Sequence, residues 1–355
     1  MSSPFNRLTI DGRTLEQEAV LPWADALVQQ HAQAPWTNEV RDTLRELCTG
    51  DGSITAHTSG TTGPPKAMRL HVNDLRASAR LTGHSFHLRQ GDRALLCLPC
   101  NFIAGKLMLV RGFVIGLDLH LIDPAGGVLN NLDTQDRFHF AAMVPNQLHR
   151  ALQDDRARLE RQFRTILLGG GPVSKALEED LQDLNVEVFH GYGSTETLTH
   201  VALRRLNGPR KQEWSHAIGD ITFEQDERGC LLVNTPHLRT KDHDTNDQVE
   251  LLDERRFRWL GRYDHVILSG GRKIFPEQLE ARTAGLLPYA HYYTARPDDK
   301  LGECVGLVLE TDQDAATVVP EVLELLSTVL EPYEMPRRVT ALDVFPRTPS
   351  GKVVR

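Results

Sequence analysis

No run of apolar residues in this chain is long enough to span a bilayer, positive charge is in deficit, and cysteine is scarce and odd in number. Each shortage excludes something. Against 48 Asp and Glu stand only 40 Lys and Arg, a formal net charge of −8 over 355 residues. That argues against a nucleic-acid coat or a basic membrane anchor, while leaving room for a local basic patch. Cys48, Cys97, Cys100, Cys230 and Cys304 are scattered. Cys97 and Cys100 form a C-x-x-C, but no second pair or histidine cluster completes a zinc site. After the apolar "ALLCLP" they read as two buried thiols at a strand end. The opening "MSSPFNRLTIDGRTL" has neither the basic n-region nor the apolar h-region of a secretion signal. None of the 15 histidines has metal-ligand spacing. There is no internal repeat and no low-complexity segment. A reduced, cytoplasmic enzyme without nucleic-acid or membrane partners is the expectation, and nothing in the sequence sets an oligomeric state.

What is present is apolar patterning. Hydrophobic residues make up 40% of the chain, enough for a large core and more than one domain. Spacing predicts helices over 13–30 and 38–48, then in "HVNDLRASARLTGHSF", in the mostly apolar "IAGKLMLVRGFVIG", and over 145–156, where proline stands near the first turn. Strands are predicted at "DRALLCLP", "LDLHLID", "FRTILLGGG" and "VEVFHGYGS", with a helix at "PVSKALEEDLQDL" between the last two. Strands alternating with helices argue for α/β layers around a mainly parallel sheet. From 218 to 260 the pattern changes to short strands ("CLLVNTP", "QVELLD", "FRWLG"), a β-rich subdomain. "GRYDHVILSGGRKIFPEQLEARTAG" opens a new unit, and 302–355 reads β-α-β ("GECVGLVLE", "VVPEVLELLSTVL", "RRVTALDVF") with a polar tail. The boundary falls near 262–264, giving units of 1–262 and 263–355.

The densest cluster of small, hydroxylated and turn-forming residues is "HTSGTTGPPKAM", 57–68. It is not the phosphate loop of nucleotide hydrolases. That loop needs glycine directly before its lysine and a hydroxyl directly after, and here Lys66 lies between Pro65, which has no N–H, and Ala67. It still offers hydroxyls from Thr58, Ser59, Thr61 and Thr62 and backbone N–H groups near Gly60 and Gly63. Three more stretches stand out. "LLGGGPVS" runs a buried strand into Gly169, Gly170 and Gly171, where a flat ring can lie on the backbone. "HGYGSTET" (190–197) sets an aromatic, hydroxyls and a carboxylate just past a strand, where α/β sheets bind ligands. There Tyr192 could stack on a base, Thr195 could hold a phosphate or carboxylate oxygen, and Glu196 could hold a hard cation. "PRTPSGKVVR" (346–355) carries Lys352 in a Pro/Ser/Gly setting. Alone, each also reads as an ordinary turn or a solvated tail.

Together, "TSGTTGPPK", "YGSTE", "GRYDHVILSGGRKIFPEQLE" and "PRTPSGK" resemble, in order and spacing, the adenylate-forming superfamily of acyl- and aryl-CoA ligases, luciferases and peptide-synthetase adenylation domains. The resemblance runs from about residue 53 to the end. It implies a large N-terminal adenylation core, here shortened, and a small mobile α+β C-terminal domain. It also implies ATP, Mg²⁺ and coenzyme A as cofactor and co-substrates. Thr58, Ser59, Gly60, Thr61, Thr62, Gly63 and Lys66 match the loop that grips the β- and γ-phosphates. Gly170, Gly171 and Pro172, with His190, Gly191 and Tyr192, match the adenine side, and Gly193 and Ser194 belong to the same ATP-binding stretch. Thr195 matches the residue facing the α-phosphate and Glu196 the Mg²⁺ carboxylate. Asp247 and Arg262 match the ribose contacts, Asp264 the hinge, and Lys352 the catalytic lysine of the small domain.

The chemistry is coherent. A substrate carboxylate must attack the α-phosphorus of ATP, and the two anions repel. A lysine on a long stem, a cation and loop donors would neutralise that charge and align the groups. The resulting acyl-adenylate is an activated anhydride that a thiolate can attack after the small domain rotates. Because the phosphate loop lies so early and the chain ends three residues after Lys352, the sequence is most similar to a short form of the o-succinylbenzoate–CoA ligases of menaquinone synthesis. Asn101, which stands where many relatives carry histidine or an aromatic, and Lys106 and Arg111 on the apolar helix are the acid-binding candidates. The two cations could equally be snorkelling to water. Leu268 stands where many ligases have lysine. The alternatives are a ligase for another aryl or fatty acid, an enzyme that loads a carrier-protein thiol, and a nucleotide-binding relative without catalysis.

Overall fold

The computed structural model describes residues 4–57, 66–347 and 353–355. One sheet of 13 strands dominates it. Its centre is parallel, in the order Glu187–Gly193, Phe163–Leu168, Phe138–Met143, Arg93–Leu96, Asp118–Leu121 and Arg7–Ile10. These strands read as short apolar runs because helices cover both faces, leaving no face for polar alternation. His200–Arg205 turns back antiparallel to Glu187–Gly193. Beyond it come Ser215–Ala217, Arg256–Arg262, Asp242–Asp253, Cys230–Asn234 and Thr222–Gln225, all antiparallel. The β-rich region is thus hydrogen-bonded onto the parallel strands as one sheet. Phe223, Val233 and Phe257 share an apolar cluster with Leu203 and Phe140.

A second, five-stranded sheet begins at Ile267. Gly302–Glu310 is its central strand, antiparallel to Ala290–Asp298 and parallel to Arg338–Leu342. It has its own apolar cluster, in which Tyr293, Leu279, Val322 and Leu326 meet. Gly270 and Gly271, at φ +55° and +80°, make the tight turn between Ile267–Ser269 and Arg272–Ile274, a backbone that side chains rarely adopt. The 3₁₀ turn Tyr263–His265 joins the two sheets.

Local chemistry explains where the elements depart from the sequence reading. Residues 13–16 are not helical. Arg13–Glu16 pairs antiparallel with Arg7–Ile10 across Asp11 and Gly12, both at positive φ, an Asp-Gly hairpin that precedes the helix Gln17–Gln30. The next helix starts at Pro35, three residues earlier than its pattern suggested, because proline suits the first turn. The helix from Pro145 runs on to Gln162 across a break at Asp155, whose Oδ1 caps the second part by accepting from the Arg158 N–H at 2.9 Å. "PVSKALEEDLQDL" yields only Lys175–Asp180, capped by Ser174. The strand Ala290–Asp298 lies in a stretch the patterning left unassigned.

All five cysteines are free and buried, and burial pushes the Cys97 thiol up to about 12. No helix among the described residues is long and apolar enough to cross a membrane. Nor do three or more His, Cys, Asp or Glu there form a metal cluster.

The helix Ile103–Ile115 is the element that most constrains the site. It is buried from Gly105 to Gly112 and ends at Gly116 in the left-handed region. A Cβ on Gly105 would stand 2.3 Å from the Pro99 carbonyl oxygen, and one on Gly112 would stand 2.6 Å from the end of the flexible Leu119 side chain. Gly105→Ala should therefore destabilise the protein by about 3 kcal/mol or more, and Gly112→Ala by less, since only backbone cannot yield. Chemical denaturation of the two variants tests the ordering, and equal losses would contradict it.

Candidate active site

The parallel strands end on one side of the large sheet, the side where open α/β sheets bind ligands. Phe163–Leu168 runs there into Gly169, Gly170 and Gly171, and Glu187–Gly193 ends in "HGYG". Gly170 is at φ +77°, and a Cβ on Gly169 or Gly171 would meet nothing within 4 Å, so a planar group has room over this backbone. Pro172 follows directly. His190 ties the two segments together, its Nε2–H donating to the Gly171 carbonyl at 3.1 Å. Burial, helped by the charge of Arg204, pushes His190 down to about 4, so the ring is neutral.

Tyr192 begins a chain of polar contacts. Its hydroxyl donates to Asp247 Oδ2 at 2.6 Å, and Asp247 Oδ1 lies 3.7 Å from Arg262 Nη1. Arg262 Nη2 in turn donates to Asp264 Oδ2 at 3.0 Å. Sheet register makes this possible, because Asp247 and Arg262 are opposite partners on adjacent antiparallel strands. Burial first, then the Asp247 charge, raises the Tyr192 phenol well above its ordinary value, so it stays a donor. The ring packs edge-on against Phe257 at 5.0 Å. Four residues drawn from three separate motifs thus form one network.

The turn after Gly193 is built tightly. A Cβ on Gly193 would stand 1.9 Å from the Thr199 carbonyl oxygen, so only glycine fits there, and one on Gly191 would touch His200 and Leu167 at 3.0 Å. The Ser194 N–H donates to Thr197 Oγ1 at 2.9 Å, and Leu198 is held at φ +62°, strained for a branched side chain. This turn buries Thr195 and leaves Glu196 exposed. Glu196 makes no ion pair or hydrogen bond among the described residues; its charge reaches His243. A lone outward carboxylate of this kind suits Mg²⁺, which takes one or two protein carboxylates together with phosphates and water.

Lys66 is exposed, directly before the strand Ala67–Leu70, whose first residue pairs with His57. Thr58, Ser59, Gly60, Thr61, Thr62 and Gly63, and also Lys352, lie outside the described residues.

The three acid-binding candidates separate. Asn101 is exposed, and its backbone N–H donates to Glu39 at 3.3 Å. Lys106 is buried, with its ammonium 3.6 Å from Glu46. Neither it nor Arg111 snorkels to water. Arg111 is 3% exposed, and its Nη2 donates to Thr199 Oγ1 at 3.0 Å, just past the Gly193–Leu198 turn. Among the described residues no carboxylate lies within ion-pair distance of it, and its Nε is buried without a partner. Burial pushes Arg111 down to about 10, still a cation at neutral pH. Thr199 Oγ1, which accepts from Arg111, also lies 2.9 Å from His200 Nδ1. The other ring nitrogen, His200 Nε2, is buried without a partner among the described residues. Burial and then Arg111 hold His200 well below its ordinary value, hence neutral. Thr199 and His200 were not singled out by motif. Their only sequence signal was their place at the end of "STETLTH".

A model of the AMP-binding enzyme family matches residues 8–228. Among solved structures, the chain resembles an acyl-CoA synthetase (AMP-forming)/AMP-acid ligase II-like protein from Dyadobacter fermentans. The two are 35% identical, with a TM-score of 0.60 over 90% of this chain and 93% of that one. The chain is 25% identical to the long-chain-fatty-acid–CoA ligase FadD13 of Mycobacterium tuberculosis, over 87% of this chain and 67% of that one. It is 26% identical to the 2-succinylbenzoate–CoA ligase of Enterococcus faecalis, over 84% and 67%.

If Asp247 links Tyr192 to Arg262, Tyr192→Phe and Arg262→Lys will not add: a double-mutant cycle should show about 0.5–3 kcal/mol of coupling, whereas additivity within about 0.3 kcal/mol would break the link. A second expectation concerns pH. The folded pKa of His190 is about 4, below the unfolded value of about 6.5, so the unfolded chain binds more protons between them. Its contribution is complete above about pH 6.5 and is lost as pH falls toward 4, on the order of 3 kcal/mol. His190→Gln should flatten stability against pH in that window, and denaturation curves that keep the wild-type slope would refute this.

Proposed function

The chain belongs to the AMP-binding enzyme family, among the AMP-forming acyl-CoA synthetases, and on that footing we propose that it activates an acid bearing a second carboxylate, o-succinylbenzoate, with ATP and then transfers the acyl group to coenzyme A. The observation that carries the choice of acid is Arg111. Its buried guanidinium has no carboxylate partner among the described residues and reaches Thr199, just past the turn that holds Thr195 and Glu196. An isolated buried cation is costly, and a substrate carboxylate would satisfy it. A fatty acid would leave it unmet. Lys106 is already neutralised by Glu46, which removes it as the stronger candidate. The 2-succinylbenzoate–CoA ligase of Enterococcus faecalis, 26% identical, supports the same reading.

In this mechanism the open backbone at Gly169–Gly171, with Pro172, His190, Gly191 and Tyr192, receives the adenine. Asp247 and Arg262 hold the ribose hydroxyls, one as acceptor and the other as donor. The loop from Thr58 to Lys66, with Gly193 and Ser194, faces the phosphates, and Thr195 faces the α-phosphate. Glu196 would hold Mg²⁺, which offsets phosphate charge when bound. The first carboxylate attacks the α-phosphorus and pyrophosphate leaves, with Lys352 neutralising the charge that builds. A thiolate of coenzyme A then attacks the acyl carbon and AMP leaves. Residues 263–355 act as a lid that turns at Asp264 between the two steps. The free, buried cysteines and the proposed use of ATP and coenzyme A support a cytoplasmic location.

Pyrophosphate exchange across a panel of acids, with and without coenzyme A, tests the assignment. O-succinylbenzoate should support exchange and be converted to a thioester. Arg111→Ala should lower kcat/KM for it about 30-fold or more, and affect monocarboxylates far less. Activity with benzoate or a fatty acid but not o-succinylbenzoate, or an equal loss for mono- and dicarboxylates, would overturn it.

A further inference from the structure

The last residues of the chain make contacts that the scheme above leaves unused. Arg347 and Val353 form an antiparallel bridge, and the Val354 N–H donates to the Pro346 carbonyl at 2.8 Å. Lys352 is the residue directly before Val353 in the sequence. On one side of the bridge, Arg347 pairs with Glu310 at 2.9 Å. On the other, Arg355 crosses to the helix Pro276–Thr283. Its Nη2 is 2.5 Å from Glu280 Oε2 and its Nη1 3.6 Å from Glu277 Oε1, with the guanidinium 5.7 Å above the ring of Tyr292.

Glu277 faces the other way as well. The same Oε1 lies 2.5 Å from Nδ1 of His265, the neighbour of Asp264 in the turn between the sheets. Its Oε2 is buried without a partner. A Cβ on Gly261, in the last strand of the large sheet, would stand 2.6 Å from that oxygen. One carboxylate thus touches the inter-sheet turn, abuts the large sheet and meets the arginine three residues after Lys352.

We propose that Arg355 is a positioning residue for acid activation: by pairing with Glu277 and Glu280 it fixes the segment that follows Lys352, and through Glu277 and His265 it ties that segment to the turn at Asp264. The inference rests on the reading of Lys352 as the lysine of the adenylation step. The physical reason is geometric. A lysine stem is long and flexible, so its ammonium finds the reacting phosphate only as reliably as its backbone is anchored, and a misplacement of about 1 Å can cost about 100-fold. The anchor is mostly shielded, with Arg355 20% and Glu277 12% exposed at the side chain, so solvent competes little for it. Burial pushes Glu280 up to about 7 although Arg355 draws it down, so this pair loses its charge as pH falls below about 7.

Both half-reactions of the full-length enzyme are to be measured in Arg355→Ala, Arg355→Lys, Glu280→Gln and Lys352→Ala. Adenylation is read by o-succinylbenzoate-dependent pyrophosphate exchange, and thioester formation by transfer from synthetic o-succinylbenzoyl-adenylate to coenzyme A. Arg355→Ala should lower kcat for exchange about 10- to 100-fold. KM for ATP and acid should stay within about twofold, transfer from supplied adenylate should be unaffected, and Arg355→Lys should recover part of the loss. Unchanged exchange in Arg355→Ala, beside a Lys352→Ala enzyme that has lost it, would overturn the proposal alone. An equal fall in both half-reactions would make the contact merely structural and overturn it too. Should Arg355→Ala not fold, Glu280→Gln and Arg355→Lys carry the same readout. Unchanged exchange in Lys352→Ala would instead sink the underlying reading of that lysine.

Discussion

Asp247 is the constraint on which the rest of the site depends. Its carboxylate accepts from a buried phenol on one side and faces a half-buried guanidinium on the other. Neither neighbour is tolerable alone. Tyr192 has its hydroxyl out of water and needs an acceptor, while Arg262 needs a counter-charge. The carboxylate answers both because the Asp242–Asp253 and Arg256–Arg262 strands are in the one register that sets residue 247 opposite 262. A slip of one residue would turn Asp247 to the other face of the sheet, taking the acceptor from Tyr192 and leaving Arg262 with Asp264 alone. The antiparallel extension of the large sheet therefore aims two polar groups at the ends of the parallel strands. It also delivers Arg262 to Asp264, so ligand-facing groups and the inter-sheet turn share one electrostatic network.

The proposed acid side is arranged on the opposite principle. Where Asp247 is compensated, Arg111 is left with a hydroxyl and a thioether as partners, and His200 Nε2 with none among the described residues. Buried polar groups left this way cost stability, and proteins keep them where a ligand completes the set. The strained Leu198 and the glycine-only position 193 bracket the same turn, so backbone strain and electrostatic deficit coincide at the place where chemistry is expected.

How much of this was legible beforehand follows from the range of each interaction. The parallel strands, the glycine run and the "HGYGSTET" turn were readable because apolar runs and turn chemistry are written in consecutive residues. The hairpin at Asp11–Gly12 was equally local, but its short strand was absorbed into the periodicity of the following helix. Pairings between distant residues could not be read that way. Lys106 and Arg111 lie five residues apart on one helix and looked alike as cations on an apolar face. Only the fold gives one a carboxylate from 60 residues upstream and gives the other none among the described residues. Motif matching named Asp247, Arg262 and Asp264 from separate places in the chain, but their contact is a product of strand register.

The small sheet shows why such long-range pairs matter for motion. On the proposed hinge at Asp264, the small domain needs a rigid path from the turn to the residue it would deliver, otherwise rotation at one end is lost as slack at the other. Apolar packing supplies rigidity within the domain, through Tyr293, Leu279 and Leu326. Among the described tail residues, Val354 is exposed. There the path is carried by ion pairs, Arg347 to Glu310 and Arg355 to Glu277 and Glu280. Ion pairs suit that position because they are directional and can hold a short segment that has no core of its own. Glu277 belongs to both ends of the path, since one of its oxygens contacts His265 beside the turn and Arg355 at the tail. A conformational change at the turn is then felt at the tail without passing through the sheet between them.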